Sequence, residues 1–294
     1  MITAYIDGDI VVNRVANVCQ TVSYEDPTGK IHQCMRDGIA AGIKKEDLVK
    51  HISLMPFAFA AHIFRQTLAS LMNELTTHTG AQEFEFVLTA PGSAEHNFRY
   101  TIATDKIKYK GTRKEKAKHF AELFSYAVEY VPNIMPLKLI SGKEADDYLV
   151  QMHSKSVNTV LASNDKDMFQ SPGVHFYIKD HAVKYLTEAD SARHFGMQLI
   201  AGDTVDNVPG LIKWLKLYGY TNVANKLIKG HYKRHYEEIL KILDTPKAVW
   251  YYVRALYLLT GLNIYDTLYN TGHLVYLLRD DEDSFTKYVK TLEE

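Results

Sequence analysis

The sequence predicts an α/β fold with a mostly parallel central sheet flanked by helices, followed by a helical C-terminal part. Up to about residue 190, short stretches rich in β-branched and aromatic residues alternate with helix-like stretches, which indicates a sheet covered on both faces. After Ser191 the strand signal fades. The chain has 294 residues, 46% of them hydrophobic, and such a length suits one large domain or a domain with a smaller appendage.

The predicted strands share a short apolar, β-branched pattern, and they are ITAYID ending at Asp7, FEFVL (84–88), PLKLI (136–140), VNTVLAS (157–163) and VHFYI (174–178). The predicted helices are 57–75, 112–130, 145–153, 222–230, 233–243 and 246–259. We therefore expect an α/β core over 1–190 and a helical part over 191–294. The longest apolar stretch, 52–64, is too short to cross a bilayer and predicts a buried helix.

The cysteine content predicts a reducing, cytoplasmic setting. Cys19 and Cys34 cannot make a disulfide framework in a chain of this length. His32 and Cys34 form a lone HxC, well short of a zinc signature. No charged-then-apolar leader opens the sequence, so neither a secretory signal nor a membrane partner is expected.

The net charge of −1 hides a strong segregation of charges. Residues 106–114 hold five Lys or Arg and no acid, and residues 207–236 hold six and no acid. The acids concentrate instead at 144–147, 165–167 and 203–206 and in the tail from Asp280. A basic run is more often only a solvated surface, but this segregation suits a protein that grips a polyanion and holds a cation against it.

Carboxylates follow the ends of three predicted strands. They are Asp7, then Glu144, Asp146 and Asp147, then Asp165 and Asp167, and the stretch GDTVDNVPG adds Asp203 and Asp206. The carboxyl ends of adjacent parallel strands meet at one edge of a sheet. Each cluster alone is more often a helix cap or a turn, but together they would repel strongly without a counter-charge. Oxygen ligands without matching His or Cys favour Mg²⁺ or Mn²⁺, and two such ions can support phosphodiester hydrolysis.

Five motifs in order resemble those of the 5′-nuclease (flap endonuclease) superfamily, with its PIN-like fold, and especially of phage 5′→3′ exonucleases. They are YIDGD, NFR with YKGTRKEK, EADD, SNDKDMFQ and GDTVDNVPG, within roughly residues 5–228. The resemblance implies a metal-dependent nuclease with two Mg²⁺ or Mn²⁺ ions. Its substrates would be 5′ ends or flaps of DNA, or RNA primers in RNA–DNA hybrids, during phage replication in the host cytoplasm.

The resemblance also implies roles for individual residues. The eight carboxylates named above match the family's metal ligands. A basic arch near 100–120 would contact the scissile phosphate and the end nucleotides, so Lys110 and Arg113, with Asp165, are the candidate catalytic residues. The expected nucleic-acid contacts lie in this arch and in a helix–turn–helix-type hairpin near 202–230, and they are Arg99, Lys106, Lys108, Tyr109, Lys110, Arg113, Lys114, Lys213, Lys216, Lys226 and Lys229.

The chain departs from the family pattern at two places. Thr89 and Ala90 stand where the family usually has an Asp after the second strand, and Glu95 is the candidate replacement. The hairpin after DNVPG has extra residues and fewer glycines, which leaves the family's K⁺ site open. The missing Asp favours a non-catalytic DNA-binding relative as an alternative. A PIN-like RNase is a further alternative, although the YKGTR and DNVPG motifs count against it. The sequence leaves open exonuclease or endonuclease preference and oligomeric state.

Overall fold

A computed structural model of the chain describes residues 1–92, 97–102, 107–111 and 115–294. The chain divides into two compact units. The larger comprises Met1–Asp7, Glu74–Lys114 and Pro136–Glu294, and the smaller comprises Gly8–Asn73 and Glu115–Met135. All eight predicted metal-binding carboxylates belong to the larger unit. Among the described residues, no helix is long and apolar enough to cross a membrane.

The strands, in chain order, are β1 (Thr3–Asp7), β2 (Gln20–Glu25), β3 (Ile31–His32), β4 (Val49–Leu54), β5 (Glu83–Thr89), β6 (Leu137–Ile140), β7 (Thr159–Ser163), β8 (Gly173–Tyr177), β9 (Ala182–Leu186), β10 (Gly202–Asp203) and β11 (Val208–Pro209).

The α-helices, in chain order, are α1 (Gly8–Val18), α2 (Met35–Ala40), α3 (Phe57–Thr79), α4 (Phe98–Ile102), α5 (Phe120–Tyr130), α6 (Ala145–Ser154), α7 (Glu188–Ala201), α8 (Leu211–Leu217), α9 (Thr221–Lys229), α10 (Tyr232–Leu240), α11 (Pro246–Leu259), α12 (Asn270–Val275) and α13 (Phe285–Glu293). Short 3₁₀ turns cover Lys45–Asp47, Val131–Asn133 and Lys166–Gln170, and a π-helical turn covers Tyr265–Tyr269.

A mostly parallel sheet forms the centre of the larger unit, as the sequence predicts. Within the described residues its strand order is β6-β5-β1-β7-β8-β9, and only β9 runs antiparallel to its neighbour. Successive side chains of a strand point to opposite faces, and both faces are buried here. Tyr5 packs in one cluster with Leu149 of α6, while its neighbours Ala4 and Ile6 are fully buried. β1 and β7, at the centre of the sheet, are buried along almost their whole length, as expected for parallel strands covered on both faces.

The C-terminal helices form a second hydrophobic core, to which residues 107 and 109 also contribute. Trp214, Tyr257 and Phe285 are almost fully buried in one cluster, and Ile107 and Tyr109 pack into it. The antiparallel pair β10–β11 leads into α8. Gly202 has φ of +68°, and a side chain there would lie 2.3 Å from the backbone nitrogen of Gly210, so this tight hairpin requires glycine.

The smaller unit contains an antiparallel sheet that the sequence patterns do not predict. Its strand order is β3-β2-β4, and β4 is largely exposed along its length. His32 Nε2 lies 2.9 Å from Asp26 Oδ2 in a buried pair, while Cys34 is exposed. No residue of β2 or β4 is fully buried, so neither strand has the buried apolar face on which the strand predictions depend.

The structure confirms the five predicted strands to within two residues at each end, and helix α11 has the predicted bounds. The predicted helix over 112–130 is wrong at its start, because α5 begins at Phe120. Residues 115–119 form turn or irregular structure, and the ring of His119 lies 2.7 Å from the Met55 carbonyl and 2.6 Å from Glu122 Oε2. These contacts fix the chain ahead of the first helical turn.

The buried helix predicted over 52–64 is wrong in its first part. Residues 52–54 belong to β4, and α3 begins at Phe57, directly after Pro56. A proline disfavours the helical conformation for the residue before it, so the apolar stretch divides at this point into a strand and a helix.

Candidate active site

The carboxyl ends of four parallel strands lie at one edge of the sheet. Asp7 pairs in register with Val87 of β5, and Thr89 at the end of β5 pairs with Ile140 at the end of β6. β7 runs parallel on the other side of β1 and ends at Ser163. The loops that carry the predicted carboxylates therefore begin at neighbouring points.

Ser163 forms hydrogen bonds with both Asp7 and Asp165. Its Oγ donates to Asp7 Oδ2 at 2.7 Å and accepts the backbone N–H of Asp165 at 3.0 Å. Asp165 in turn caps the 3₁₀ turn that follows, because its Oδ1 accepts the N–H of Asp167 at 2.9 Å. Asp7 is 1% exposed, so its carboxylate is buried at the centre of the edge.

The three acids at the start of α6 have three different environments. Glu144 is the N-cap residue, and its Oε1 accepts hydrogen bonds from Asn97 Nδ2 at 3.0 Å, from Tyr109 OH at 3.2 Å and from Lys110 Nζ. Thr89 Oγ1 accepts the first N–H of the helix, that of Ala145, at 3.0 Å. Thr89 thus caps this helix.

Asp147 forms a buried ion pair with Arg99 of α4. The guanidinium Nη1 and Nη2 lie 2.7 and 2.8 Å from the two carboxylate oxygens, and both side chains are at most 1% exposed. Burial alone would lower the pKa of Arg99, but the charge of Asp147 raises it above its usual value. The remaining positions on Asp147 accept the N–H groups of Glu144 and Leu278.

Arg99 also bonds a segment far along the chain, residues 274–278. Its Nε donates to the Leu274 carbonyl at 3.1 Å, and Nη2 donates to the Tyr276 carbonyl at 2.6 Å. The same segment contacts Gln170, whose Nε2 donates both to the Val275 carbonyl and to Gln198 Oε1.

Gln198 of α7 completes a relay to the acids after β7, because its Nε2 donates to Asp167 Oδ1 at 2.5 Å. The 274–278 segment therefore supports the carboxylates of α6 through Arg99 and those after β7 through the two glutamines.

Three carboxyl groups lack enough positive charge around them. Burial raises the pKa of Asp146 well above its usual range, and the nearby charges of Asp7 and Asp165 raise it further. Burial likewise raises the pKa of Asp165. Burial and the charge of Asp165 raise the pKa of Asp167 to about 7. Carboxyl groups from β1, α6 and the loop after β7 thus repel one another at this edge.

The β10–β11 hairpin brings the last two acids to the same place. Asp203 Oδ1 accepts the N–H groups of Val205 and Asp206, and its Oδ2 accepts from Lys166 Nζ at 2.8 Å. Burial would raise the pKa of Asp203, but the hydrogen bond from Lys166 and those from the backbone outweigh it and hold the pKa below its usual value.

Residues 107–111, which lie within the predicted arch, are anchored on this hairpin. Lys110 N donates to the Asp206 carbonyl at 2.8 Å, and Asn207 Nδ2 donates to the Lys108 carbonyl at 2.9 Å. Lys110 has φ of +55°, and its Nζ lies 3.9 Å from Asp206 Oδ2 in addition to its contact with Glu144. One ammonium group therefore lies between carboxylates of α6 and the hairpin.

The predicted nucleic-acid residues fall into four groups, the first of which is Lys110 alone, half-buried and in contact with Glu144. Lys108, Lys213, Lys216, Lys226 and Lys229 are exposed, as phosphate contacts require. Arg99 and Tyr109 are buried and contact other protein groups, so their contact with nucleic acid stays a prediction. Lys106, Arg113 and Lys114 lie outside the described residues, and so does Glu95, the candidate replacement for the missing Asp.

The donor set fits a hard divalent cation by its chemistry. The buried groups at the edge are carboxylates, and the raised pKa values of Asp146, Asp165 and Asp167 are the electrostatic sign of a site that lacks cationic charge. Over the described ranges, no three Asp, Glu, His or Cys side chains lie close enough to hold an ion as they stand. Lys110 and Lys166 each contact carboxylates from two different elements.

The sequence patterns miss the residues that hold the carboxylates in place. Ser163 and Gln170 lie within SNDKDMFQ and Asn97 lies within NFR, but these side chains have no charge and received no predicted role. Gln198 lies outside every motif. The position of Lys166 could have been noticed in the sequence, because it lies between two predicted ligands, Asp165 and Asp167, in SNDKDMFQ.

Neither the protein-family models nor the curated proteins contain a match to this chain. Solved structures of bacteriophage T5 proteins align with 99% of it. They include a T5 protein co-crystallised with metal ions (16% identity, 98% of that chain, TM-score 0.44) and T5 5′-exonuclease with divalent zinc ions (17%, 98%, 0.44). A T5 flap endonuclease in a pseudo-enzyme–product complex with DNA and metal ions also aligns (18%, 97%, 0.43). These proteins are of the kind that the motifs resemble, but such identities and TM-scores are too low to assign an activity.

The first prediction contrasts two aspartates of the site. In buffer without divalent ions, Asp147→Asn should lower the free energy of unfolding by roughly 3–5 kcal/mol, because it leaves the Arg99 charge buried without a partner. Asp165→Asn should keep or raise the melting temperature, because it removes a carboxylate that burial disfavours. Thermal unfolding followed by circular dichroism measures both. Shifts of the same sign in the two variants would contradict this assignment.

The second prediction concerns pH. The folded state holds the Asp167 proton up to about pH 7, whereas an unfolded chain releases it near pH 4. The folded state therefore binds more protons in this window, and its stability falls as the pH rises, by at most roughly 1.4 kcal/mol per pH unit. Urea unfolding at several pH values, without divalent ions, should show a flatter profile for Asp167→Asn. The exposed control Asp244→Asn should keep the wild-type slope, and an unchanged slope in Asp167→Asn would refute the prediction.

Proposed function

We propose that the protein is a divalent-metal-dependent 5′ nuclease that hydrolyses phosphodiester bonds at 5′ ends or flaps of DNA, or of RNA primers, in phage replication. One observation carries the proposal. Carboxylates from β1, α6, the loop after β7 and the β10–β11 hairpin converge at the carboxyl edge of a parallel sheet, with the Lys110 ammonium among them. Such an edge is where α/β folds bind their ligands.

The carboxylates would hold the cation that the reaction needs. We assign this role first to Asp7, Asp146 and Asp165, because Asp7 is buried at the centre of the edge and burial raises the pKa of the other two, and include Glu144, Asp167, Asp203 and Asp206 in the candidate set. Asp147 has both oxygens engaged by Arg99 and by backbone N–H groups, so in this proposal it supports the helix start. When bound, Mg²⁺ or Mn²⁺ supplies Lewis-acid chemistry, which activates water and stabilises a leaving oxygen.

Lys110 would act on the phosphate. Its ammonium contacts Glu144 and Asp206, and a phosphodiester oxygen at this edge would offer it a further charged acceptor. A cation held there neutralises the negative charge that grows on the phosphate in the transition state. Tyr109 OH bonds Glu144 at 3.2 Å and Asp206 at 3.3 Å, which positions the neighbouring Lys110. Arg113 would add a second cation and stays a prediction.

The exposed lysines of α8 and α9 would hold the duplex. Lys213, Lys216, Lys226 and Lys229 lie in the stretch 207–236, which has no acid, and all four are exposed. Lysines that contact phosphates bind duplexes of any sequence and make affinity depend on salt.

The decisive experiment is digestion of a 5′-labelled duplex and of a 5′-flap substrate while Mg²⁺ and Mn²⁺ are titrated. We expect cleavage with either ion and none with EDTA. Short labelled products from the duplex would identify an exonuclease, and release of the intact flap would identify an endonuclease. An absence of cleavage together with tight DNA binding would overturn the proposal in favour of a non-catalytic DNA-binding protein.

A third prediction distinguishes the lysine proposed to act in catalysis from the lysines proposed to bind the DNA duplex. Lys110→Ala should lower the single-turnover rate at least tenfold and leave duplex affinity nearly unchanged, because its charge is needed at the reacting phosphate. Lys226→Ala and Lys229→Ala, matched removals of lysine charge, should weaken binding and reduce its salt dependence. Rapid-quench kinetics and fluorescence anisotropy measure the two effects, and the reverse pattern would show that the two roles are exchanged.

A further inference from the structure

Tyr100 of α4 is an exposed aromatic residue directly beside residues that bond the candidate active site. It is 39% exposed, whereas its neighbours Asn97 and Arg99 are 2% and 1% exposed. Asn97 donates to Glu144, and Arg99 pairs with Asp147, so the chain just before Tyr100 is fixed against the start of α6. The Tyr100 ring is therefore an exposed group whose backbone has a defined position.

The Tyr100 ring packs against Tyr109, which belongs to the acidic edge. The two ring centroids lie 5.2 Å apart, and the ring planes meet at 79° in an edge-to-face contact. Tyr109 is 5% exposed, and its OH lies 3.2 Å from Glu144 Oε1 and 3.3 Å from Asp206 Oδ2. The Lys110 ammonium lies 5.1 Å from the Tyr109 ring centroid. One buried ring thus connects Tyr100 to two carboxylates and to the lysine that we assign to the phosphate.

An exposed ring at this place offers a surface on which a nucleobase can stack. Aromatic side chains accept any base in this way, because every base has a π-face. A ring that already packs against another ring, on a fixed backbone, loses little conformational freedom when a base binds. The alternative is that Tyr100 only covers Tyr109, but an aliphatic side chain would remove that ring from water as well.

We propose that Tyr100 is a substrate-binding residue, which stacks on the base of a nucleotide close to the phosphate that is cut and so holds that phosphate near Lys110. The inference rests on the proposed function and adds a contact with a base to the contacts with phosphates. A base inside a duplex is stacked on its neighbours and must leave them first, at a cost in free energy. Tyr100 therefore favours substrates whose nucleotide at this position is unpaired, such as a flap or a frayed end.

The test is the affinity of the full chain for 5′-flap DNA in EDTA, measured by fluorescence anisotropy, with an abasic nucleotide placed in turn at each position near the junction. For the wild type we expect a position at which loss of the base weakens binding at least about fivefold, the lower end for a base on an aromatic side chain. Tyr100→Leu keeps an apolar side chain beside Tyr109. It should bind intact DNA that much more weakly and show no further loss at that position, whereas Tyr100→Phe should behave as the wild type.

Tyr265→Leu is the matched control, because Tyr265 is also exposed and also packs on a second tyrosine ring, that of Tyr269, at 5.1 Å. It should keep the wild-type pattern.

A wild type whose affinity depends on the base at none of these positions would overturn the inference, whether or not Tyr100→Leu folds. An undiminished dependence on the base in folded Tyr100→Leu would overturn it as well, since the ring would then only cover Tyr109. The proposed function fails separately, as DNA that is bound with this dependence on the base but is not cleaved with Mg²⁺ or Mn²⁺.

Discussion

The buried pair of Arg99 and Asp147 is the interaction on which the rest of the site depends. It fixes the first turn of α6, and that turn also carries Glu144 and Asp146. The same guanidinium bonds the carbonyls of Leu274 and Tyr276, so α4, α6 and the 274–278 segment meet at one charged group. Because a buried charge without a partner is costly, these three elements adopt their places together.

The crowding of acids at the start of α6 has a physical explanation in their different partners. Glu144 faces Lys110, Asp147 faces Arg99, and Asp146 faces other carboxylates. Two of the three charges are thus balanced within the protein and one is not. A site that kept every carboxylate compensated would have no electrostatic preference for an added cation, whereas this edge keeps a local excess of negative charge.

The sequence predicts the fold well where burial leaves a strong pattern. The central strands β1 and β7 are almost wholly buried, and a run such as VNTVLAS is recognisable for that reason. The sheet of β2, β3 and β4 is missed because no residue of β2 or β4 is fully buried. The carboxylates are predictable as a set because they follow strand ends. The pairing of Asp147 with Arg99 is not, since it depends on a choice among neighbouring acids that only side-chain packing makes.

The 274–278 segment has a consequence for biosynthesis. Arg99 and its acceptors Leu274 and Tyr276 are separated by 175 and 177 residues. Gln170 and its acceptor Val275 are separated by 105 residues. During translation, Arg99, Asp147 and Gln170 are synthesised well before the residues of the 274–278 segment that they contact. Contacts over such sequence distances form late, so the sheet can assemble on the nascent chain while its acidic edge stays unfinished. The chain thus completes this edge only after residues 274–278 have left the ribosome.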